Sequence, residues 1–457
     1  MNKPILLNAF QQNTVGHHGH GMWAHPRDRS RHYNNLDYWT ELARTLERGC
    51  FDGIFLADVL GPYDVYEGRP DAALRNAMQI PVGDPMLLVP AMAAVTEHLG
   101  FGVTGLVGFD APYTFARRMS TLDHLTKGRI AWNVVTGYLD SAARGMGLST
   151  QMTHDERYAA ADEFMEVVYR LWEGSWEDDA VVADTESRIF ADPAKVHRVE
   201  FHGDYYDLDG IHLCEPSPQR TPVLFQAGSS DRGCEFAAQH AECVFILQSS
   251  KTAAAKIVAD LRARAVACGR RPEDLLIFNM ATVVTGTDEA AAQAKLADYR
   301  RYASPEAWMV LYSGGSGIDL SQYDLDGPLP RQKTEAVQSL GRSTPTGSDE
   351  PTLRGLAQRG GIGSGSALIV GSPTQVADEL EAWIDQTGID GFNLASVVMP
   401  ETFTDFVDLV VPELQRRNRM KHAYTAGTLR SKLFGRDRLP SSHVASTLRI
   451  HDGVANG

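Results

Sequence analysis

Apolar residues fall along this chain in short continuous runs separated by helical patterns. Residues 5–10 form the first run, and a polar loop rich in histidine follows. Residues 38–49 carry apolar positions at helical spacing and end on glycine, as a helix stop should. The run GIFLAD at 53–58 reads as a buried strand because it does not alternate. Residues 85–98 predict a helix, 99–106 a strand, 112–125 a helix opened by proline, and 129–136 (RIAWNVVT) a strand. A long amphipathic helix is expected over 154–171. Further strand-like runs lie at 222–228, 243–247, 275–284, 367–371 and 391–397, with clear helices at 373–387 and 403–416. Repeated β-then-α units with buried strands imply a parallel sheet covered by helices. The count by itself does not separate a doubly wound sheet from a barrel; nine runs allow an eight-stranded barrel if one is accessory. A barrel uses about 250 residues, so roughly 200 must be insertion and tail.

Two stretches fit the insertions. Residues 173–220 are rich in Asp, His and Pro. Residues 302–366 hold GGSG at 314–317 and GGIGSGS at 360–366, and show no convincing apolar period. The second reads as a structureless lid with glycine hinges, because long loops within compact domains are usually functional. Deletion of residues 344–352 is expected to leave ligand binding intact while lowering productive turnover. One domain spans 1–433; the remainder, 434–457, is read as a tail, and the polar segment from 420 on as a wrap over the surface or a partner subunit.

Composition narrows the function. The 457 residues carry a net charge of −15, which argues against tracking a phosphate backbone. No stretch approaches 18 consecutive apolar residues, so no transmembrane helix is expected, and MNKPILLNAF makes a poor signal peptide. Five scattered cysteines without CxxC spacing read as reduced thiols in a cytoplasmic protein.

In a barrel the reacting groups sit at the C-terminal ends of strands. Those ends supply Phe10, Asp58, Thr104, Asn133 and the corner QAGSSDRG, where Ser230 opens a helix. Unpaired N–H groups and the helix dipole make that corner either an anion site or a plain N-cap. His154 and Tyr158, four apart, share one helix face and could both donate to a phosphate, or simply pack over the next turn. His17, His18, His20 and His25 surround Trp23; they read as polar site lining or surface loop, and no metal is expected, since no HExxH or fixed-spacing carboxylate accompanies them. A GxSxG elbow, a Walker A loop and a GxGxxG fingerprint are all absent. The residues alone give an α/β enzyme, a barrel with an anion pocket.

The blocks LARTLERGCFDGIFLAD, AAVTEHLGFGVT, FARRMSTLDHLTKGRIAWNVVT, HDERY, SPQRTPVLFQAGSSDRG and VGSPTQVADEL, in this order, carry a resemblance. The chain resembles the bacterial-luciferase-like, FMN-dependent monooxygenases of the nitrilotriacetate and dibenzothiophene-sulfone monooxygenase family. Within it, ADVLGPYDVY, GIHLCEPSPQRTPV and DGFNLA look most like the large subunits that oxidise dimethyl sulfide. The resemblance implies a luciferase-like (β/α)8 TIM barrel and reduced FMN (FMNH2) as co-substrate with O2. It also implies a separate NAD(P)H:flavin reductase as partner, a homodimer or homotetramer, and no nucleic acid or membrane. Asp58, Thr104, Asn133, His154, Tyr158 and Ser230 would contact the flavin: His154, Tyr158 and Ser230 its phosphate, the other three its ring. His20 and Phe10 would line the substrate pocket. The implied reaction cleaves a C–S bond in a small organosulfur compound, dimethyl sulfide giving methanethiol and formaldehyde. An aromatic sulfone, an aminopolycarboxylate or a halogenated aromatic are alternative substrates, and a non-catalytic flavin-binding protein is a remote one.

Overall fold

The computed structural model describes residues 3–228, 230–330, 332, 334–337 and 351–450. Eight parallel strands close into a ring: β1 (Leu6–Gln12), β2 (Gly53–Ala57), β3 (Gly100–Leu106), β4 (Ile130–Val135), β5 (Val223–Gln226), β6 (Cys243–Ile246), β7 (Leu276–Thr285) and β8 (Gly391–Ala395). Neighbours pair in order from β1 to β7, β7 pairs with β8, and β8 returns to β1. This is a (β/α)8 barrel. The accessory run is Ala367–Gly371. It pairs only with the upper half of β7, Ala281–Thr285, because ten-residue β7 outgrows the ring. Side chains of Phe10, Phe55, Phe225, Phe245, Phe278 and Met280 fill the lumen, so the barrel is a packed core with its chemistry at one end.

Three expectations require correction. The helix over 85–98 shrinks to a turn at Pro85–Leu88 and a short helix at Val89–Ala93. The Arg129 guanidinium takes the carbonyls of Ala93, Thr96 and Leu99, which turn toward it and away from any continuing helix axis. The helix over 403–416 becomes Glu401–Asp405, a π-turn at Phe406–Val410, and Val411–Arg416. Pro412 lacks the N–H that a regular ladder would use there. The segment from 420 is more than a surface wrap. Leu429 joins the aromatic cluster in the lumen, and Arg430, fully buried, closes the N-terminal mouth of the barrel. Its guanidinium binds both oxygens of buried Glu242 at 2.8 and 2.9 Å and the carbonyls of Gln219, Thr221 and Pro222.

The insertions also differ from expectation. Residues 173–220 fold as two antiparallel hairpins, Val181–Asp184 with Ile189–Ala191 and Val199–His202 with Asp207–Gly210. Residues 302–366 are far from structureless: they form helices at Pro305–Ser316 and Leu353–Gly360. Trp308, Met309 and Val310 pack on Tyr63, Ala72, Ala73 and Met78, giving the insertion a core of its own. Residues 344–350 of the expected lid deletion lie outside the described residues. Gly314 is no hinge. It sits inside the helix, where a Cβ would fall 1.9 Å from the Tyr63 ring. Gly314→Ala should therefore lower stability by about 1–3 kcal/mol through overpacking. Thermal unfolding reads this, and a variant as stable as the parent would revive the hinge.

Candidate active site

Thr104 and Asn133 stand opposite each other in the β3–β4 register, so their inward side chains meet. The Asn133 Nδ2 donates to Thr104 Oγ1 at 2.9 Å, and both residues are buried. Asn133 Oδ1 has no partner, an acceptor left facing the top of the barrel. Asp58 follows β2 and accepts the Val59 N–H at 2.9 Å. Burial, helped by the nearby Asp84, pushes its carboxyl up to about 7, against the opposing Val59 bond. Above that value the ionised carboxylate is the stronger acceptor for a ligand N–H, while below it one oxygen carries a proton. If Asp58 meets the flavin ring that the resemblance implies, affinity for riboflavin should rise as pH goes from 6 to 8, and Asp58→Asn should flatten the profile. Riboflavin is the ligand of choice because it lacks the titrating phosphate; fluorescence titration reads the constant, and a flat parent profile would remove Asp58 from the ring contacts.

The second cluster joins two helix starts. Thr153 caps the helix His154–Gly174 through a capping box with Glu156, fixing the direction of its first turn. Ser230 caps the helix Asp231–His240 by accepting the Gly233 N–H at 3.0 Å. The two meet where His154 Nε2 lies 3.1 Å from Ser230 Oγ. Tyr158, with its ring centroid 5.1 Å from that of His154, brings its hydroxyl to the same corner. A Cβ on Gly228 or Gly233 would come within 2.6 or 2.8 Å of that hydroxyl, so glycine is required at both. Arg232 lies over the Tyr158 ring at 5.4 Å and is paired with Asp162. Histidine, tyrosine and serine donors beside a helix N-terminus suit an anion. The sequence left open an anion site or a plain cap, and Ser230 serves as the cap while facing the other two donors.

The third cluster is the loop after β1. His17, His18 and His20 are buried, and burial lowers the first to about 3 and the last to about 4, with His18 well below its ordinary value. All three are neutral in the working range. Phe10 lies beneath them, 4.5 Å from His17 and 5.1 Å from His18 between ring centroids, and touches Phe55 and Phe245 below. His18 Nδ1 and His20 Nε2 both reach Ser364 Oγ at 2.7 Å. His25 is elsewhere, bound to Asp298. Among the described residues no group of His, Cys, Asp or Glu could hold a metal.

Sequence reasoning missed Ser364, which arrives from 346 residues away and had no motif. It also missed Gln12 and took Gln226 only as the start of the corner QAGSSDRG; both have buried amide atoms without partners. The strand-end rule that found Asp58 would have found both. Tyr63, hydrogen-bonded to Gln79 at 3.1 Å and Tyr138 at 2.7 Å, carried no signal of its own.

Known proteins share this fold and much of this sequence. The luciferase-like monooxygenase family matches residues 11–391. Dimethyl-sulfide monooxygenase of Hyphomicrobium sulfonivorans is 51% identical over 98% of this chain and 94% of its own length, and its crystal structure superposes with a TM-score of 0.92 over 98% and 96%. Long-chain alkane monooxygenase of Geobacillus thermodenitrificans is 48% identical over 98% and 99%. A riboflavin lyase solved with modified FMN and riboflavin is 36% identical, with a TM-score of 0.92 over 98% of this chain and 100% of its own. A barrel closed in the same order, matched along nearly its full length by named monooxygenases, leaves one assignment: the chain belongs to the luciferase-like monooxygenases, the flavin-dependent oxidoreductases of this fold.

Proposed function

We propose that this chain is the oxygenating component of a two-component system, using O2 and reduced FMN delivered by a separate NAD(P)H:flavin reductase. The observation that carries the cofactor is the corner of His154, Tyr158 and Ser230 beside a helix N-terminus, which fits the FMN phosphate. The partnerless Asn133 Oδ1, with Thr104 and Asp58, fits the polar edge of its ring. Bound there, reduced FMN would supply the activation of O2 that no side chain provides. The chain's own work is to hold the phosphate, orient the ring, place a substrate beside it and exclude water. Phe10 and neutral His20 line the substrate side, and the helical insertion is tied to it through Ser364, which both His18 and His20 reach. Five free cysteines, none disulfide-bonded, suit work in a reducing cytoplasm.

Neutral histidines beside an aromatic floor favour a small uncharged substrate over an aminopolycarboxylate, which needs fixed cations. With the relation to the dimethyl sulfide enzyme, this supports a thioether. Oxygen inserted at the carbon beside sulfur gives a hemithioacetal that falls apart, so dimethyl sulfide, O2 and reduced flavin yield methanethiol, formaldehyde, water and oxidised flavin. A second reading, terminal oxidation of an alkane, is favoured by the 48% identity to the alkane enzyme over the same span. The test supplies reductase, NADH and 18O2 with thioethers, alkanes, dibenzothiophene sulfone and nitrilotriacetate. Methanethiol and formaldehyde in equal amounts are expected. Labelled alkanol would select the second reading, and no substrate loss beyond the peroxide background would overturn both.

A further inference from the structure

Behind the histidine loop, on the β1–β8 side of the barrel, lies a small, partly open cavity of about 20 Å³. Gln12, His17, Asp28, Ser30, Tyr38 and Ser396 line it, so its wall is polar. Gln12 is 2% exposed, yet neither its Nε2 nor its Oε1 has a partner, and His17 Nδ1 has none either. Three unpaired polar atoms around a space large enough for one water describe a hydrated site, since dry internal cavities are apolar. Asp28 is fixed there: it accepts the Ser30 N–H at 2.9 Å and hydroxyl on one oxygen and the Met399 N–H at 2.8 Å on the other.

The cavity also faces outward. Tyr38 and Met399 line it from one side, and from the other they line a surface groove of about 530 Å³ that includes Arg29 and Glu41. One tyrosine and one methionine therefore stand between bulk solvent and a polar pocket that touches His17. The phosphate corner at β5 lies across the barrel, so this path is separate from that corner.

We propose that the cavity holds an ordered water joining Gln12 and His17 to Asp28 and Tyr38, and that this set forms a proton route from the surface groove to the substrate side of the active site. The route rests on the function proposed above, whose balance needs it. With reduced flavin as its monoanion FlH⁻, FlH⁻ + O2 + S + H⁺ gives Fl + SO + H2O. One proton must enter at each turnover, while the site must stay closed to bulk water that would waste the activated oxygen. A single-file water behind a tyrosine passes a proton without opening the site. Tyr38, Asp28 and Gln12 are positioning and relay groups, since none touches the reacting atoms.

The test has two readouts. A high-resolution crystal structure of the resting protein should show one water within hydrogen-bond distance of the Gln12 amide and His17 Nδ1, and Gln12→Leu should abolish it. In single-turnover oxidation of dimethyl sulfide, Gln12→Leu and Tyr38→Phe should each slow product formation about tenfold, below the usual contribution of a general acid. Their solvent deuterium isotope effect should exceed that of the parent, and their Kd for FMN should equal it. If Gln12→Leu does not fold, Tyr38→Phe at the far end carries the test alone. An empty cavity in the parent, or unchanged rates and isotope effects in a folded variant, would overturn the route. If the parent oxidises none of the substrates tested, the proposed function fails and the proton route with it, whereas the water site stands or falls on the density alone.

Discussion

Tyr158→Phe should weaken FMN by about ten- to a hundredfold while leaving riboflavin nearly unchanged, because a charge-assisted hydrogen bond is worth about 1.5–3 kcal/mol. The residue is buried and its ring is held between His154 and Phe236, so removing one oxygen leaves the packing in place. Ser230→Ala should discriminate between the two flavins in the same way. It will add a smaller general loss of about 1 kcal/mol, since Ser230 is also the N-cap of its helix. Fluorescence titration with both flavins separates the two effects: the cap loss moves both ligands or only stability, the phosphate loss moves FMN alone. Equal weakening of both flavins by Tyr158→Phe would put the phosphate elsewhere.

The larger effect belongs to the closed end of the barrel. Arg430→Met should cost about 3–5 kcal/mol, because Glu242 would be left as an unpaired charge in a dry interior. Burial pushes the Glu242 carboxyl up, and the Arg430 guanidinium more than reverses this, holding it below its ordinary value. A depressed carboxylate stabilises the fold above its unfolded value, and that contribution is lost as pH falls through the folded one. The double variant Arg430→Met with Glu242→Leu should recover most of the loss, since paired buried charges are often replaceable by apolar groups of similar size. Thermal unfolding of the two singles and the double gives the coupling. A single variant as stable as the parent would show that the tail does not seal the barrel.

The strands were the legible part of the fold. A parallel strand covered on both faces is apolar over most of its length, so all nine runs stood out, and each matches an observed strand within two residues at either end. The helix at 85–98 failed because the competitor for its carbonyls, Arg129, is invisible to local periodicity. The insertion failed for a related reason. Its helix from Pro305 is apolar on most sides, since it packs against a second core, and such a helix has no period to read. Among the site residues, those at strand ends were legible because position along a barrel strand fixes direction. Ser364 was not, because nothing in GGIGSGS says that two histidines 344 and 346 residues earlier will claim its hydroxyl.

Those bonds bear on how such a protein can diversify. The Ser304 N–H binds the His20 carbonyl at 2.9 Å, and the Gly363 N–H binds the His18 carbonyl at 2.9 Å. Both ends of the long excursion are thus sewn to the same three-residue hem. Chain added between fixed ends costs free energy only as the logarithm of its length, about 0.6 kcal/mol per doubling. The excursion can therefore change in length with both ends still held at the histidines, provided Trp308, Met309 and Val310 keep their packing on Tyr63, Ala72, Ala73 and Met78.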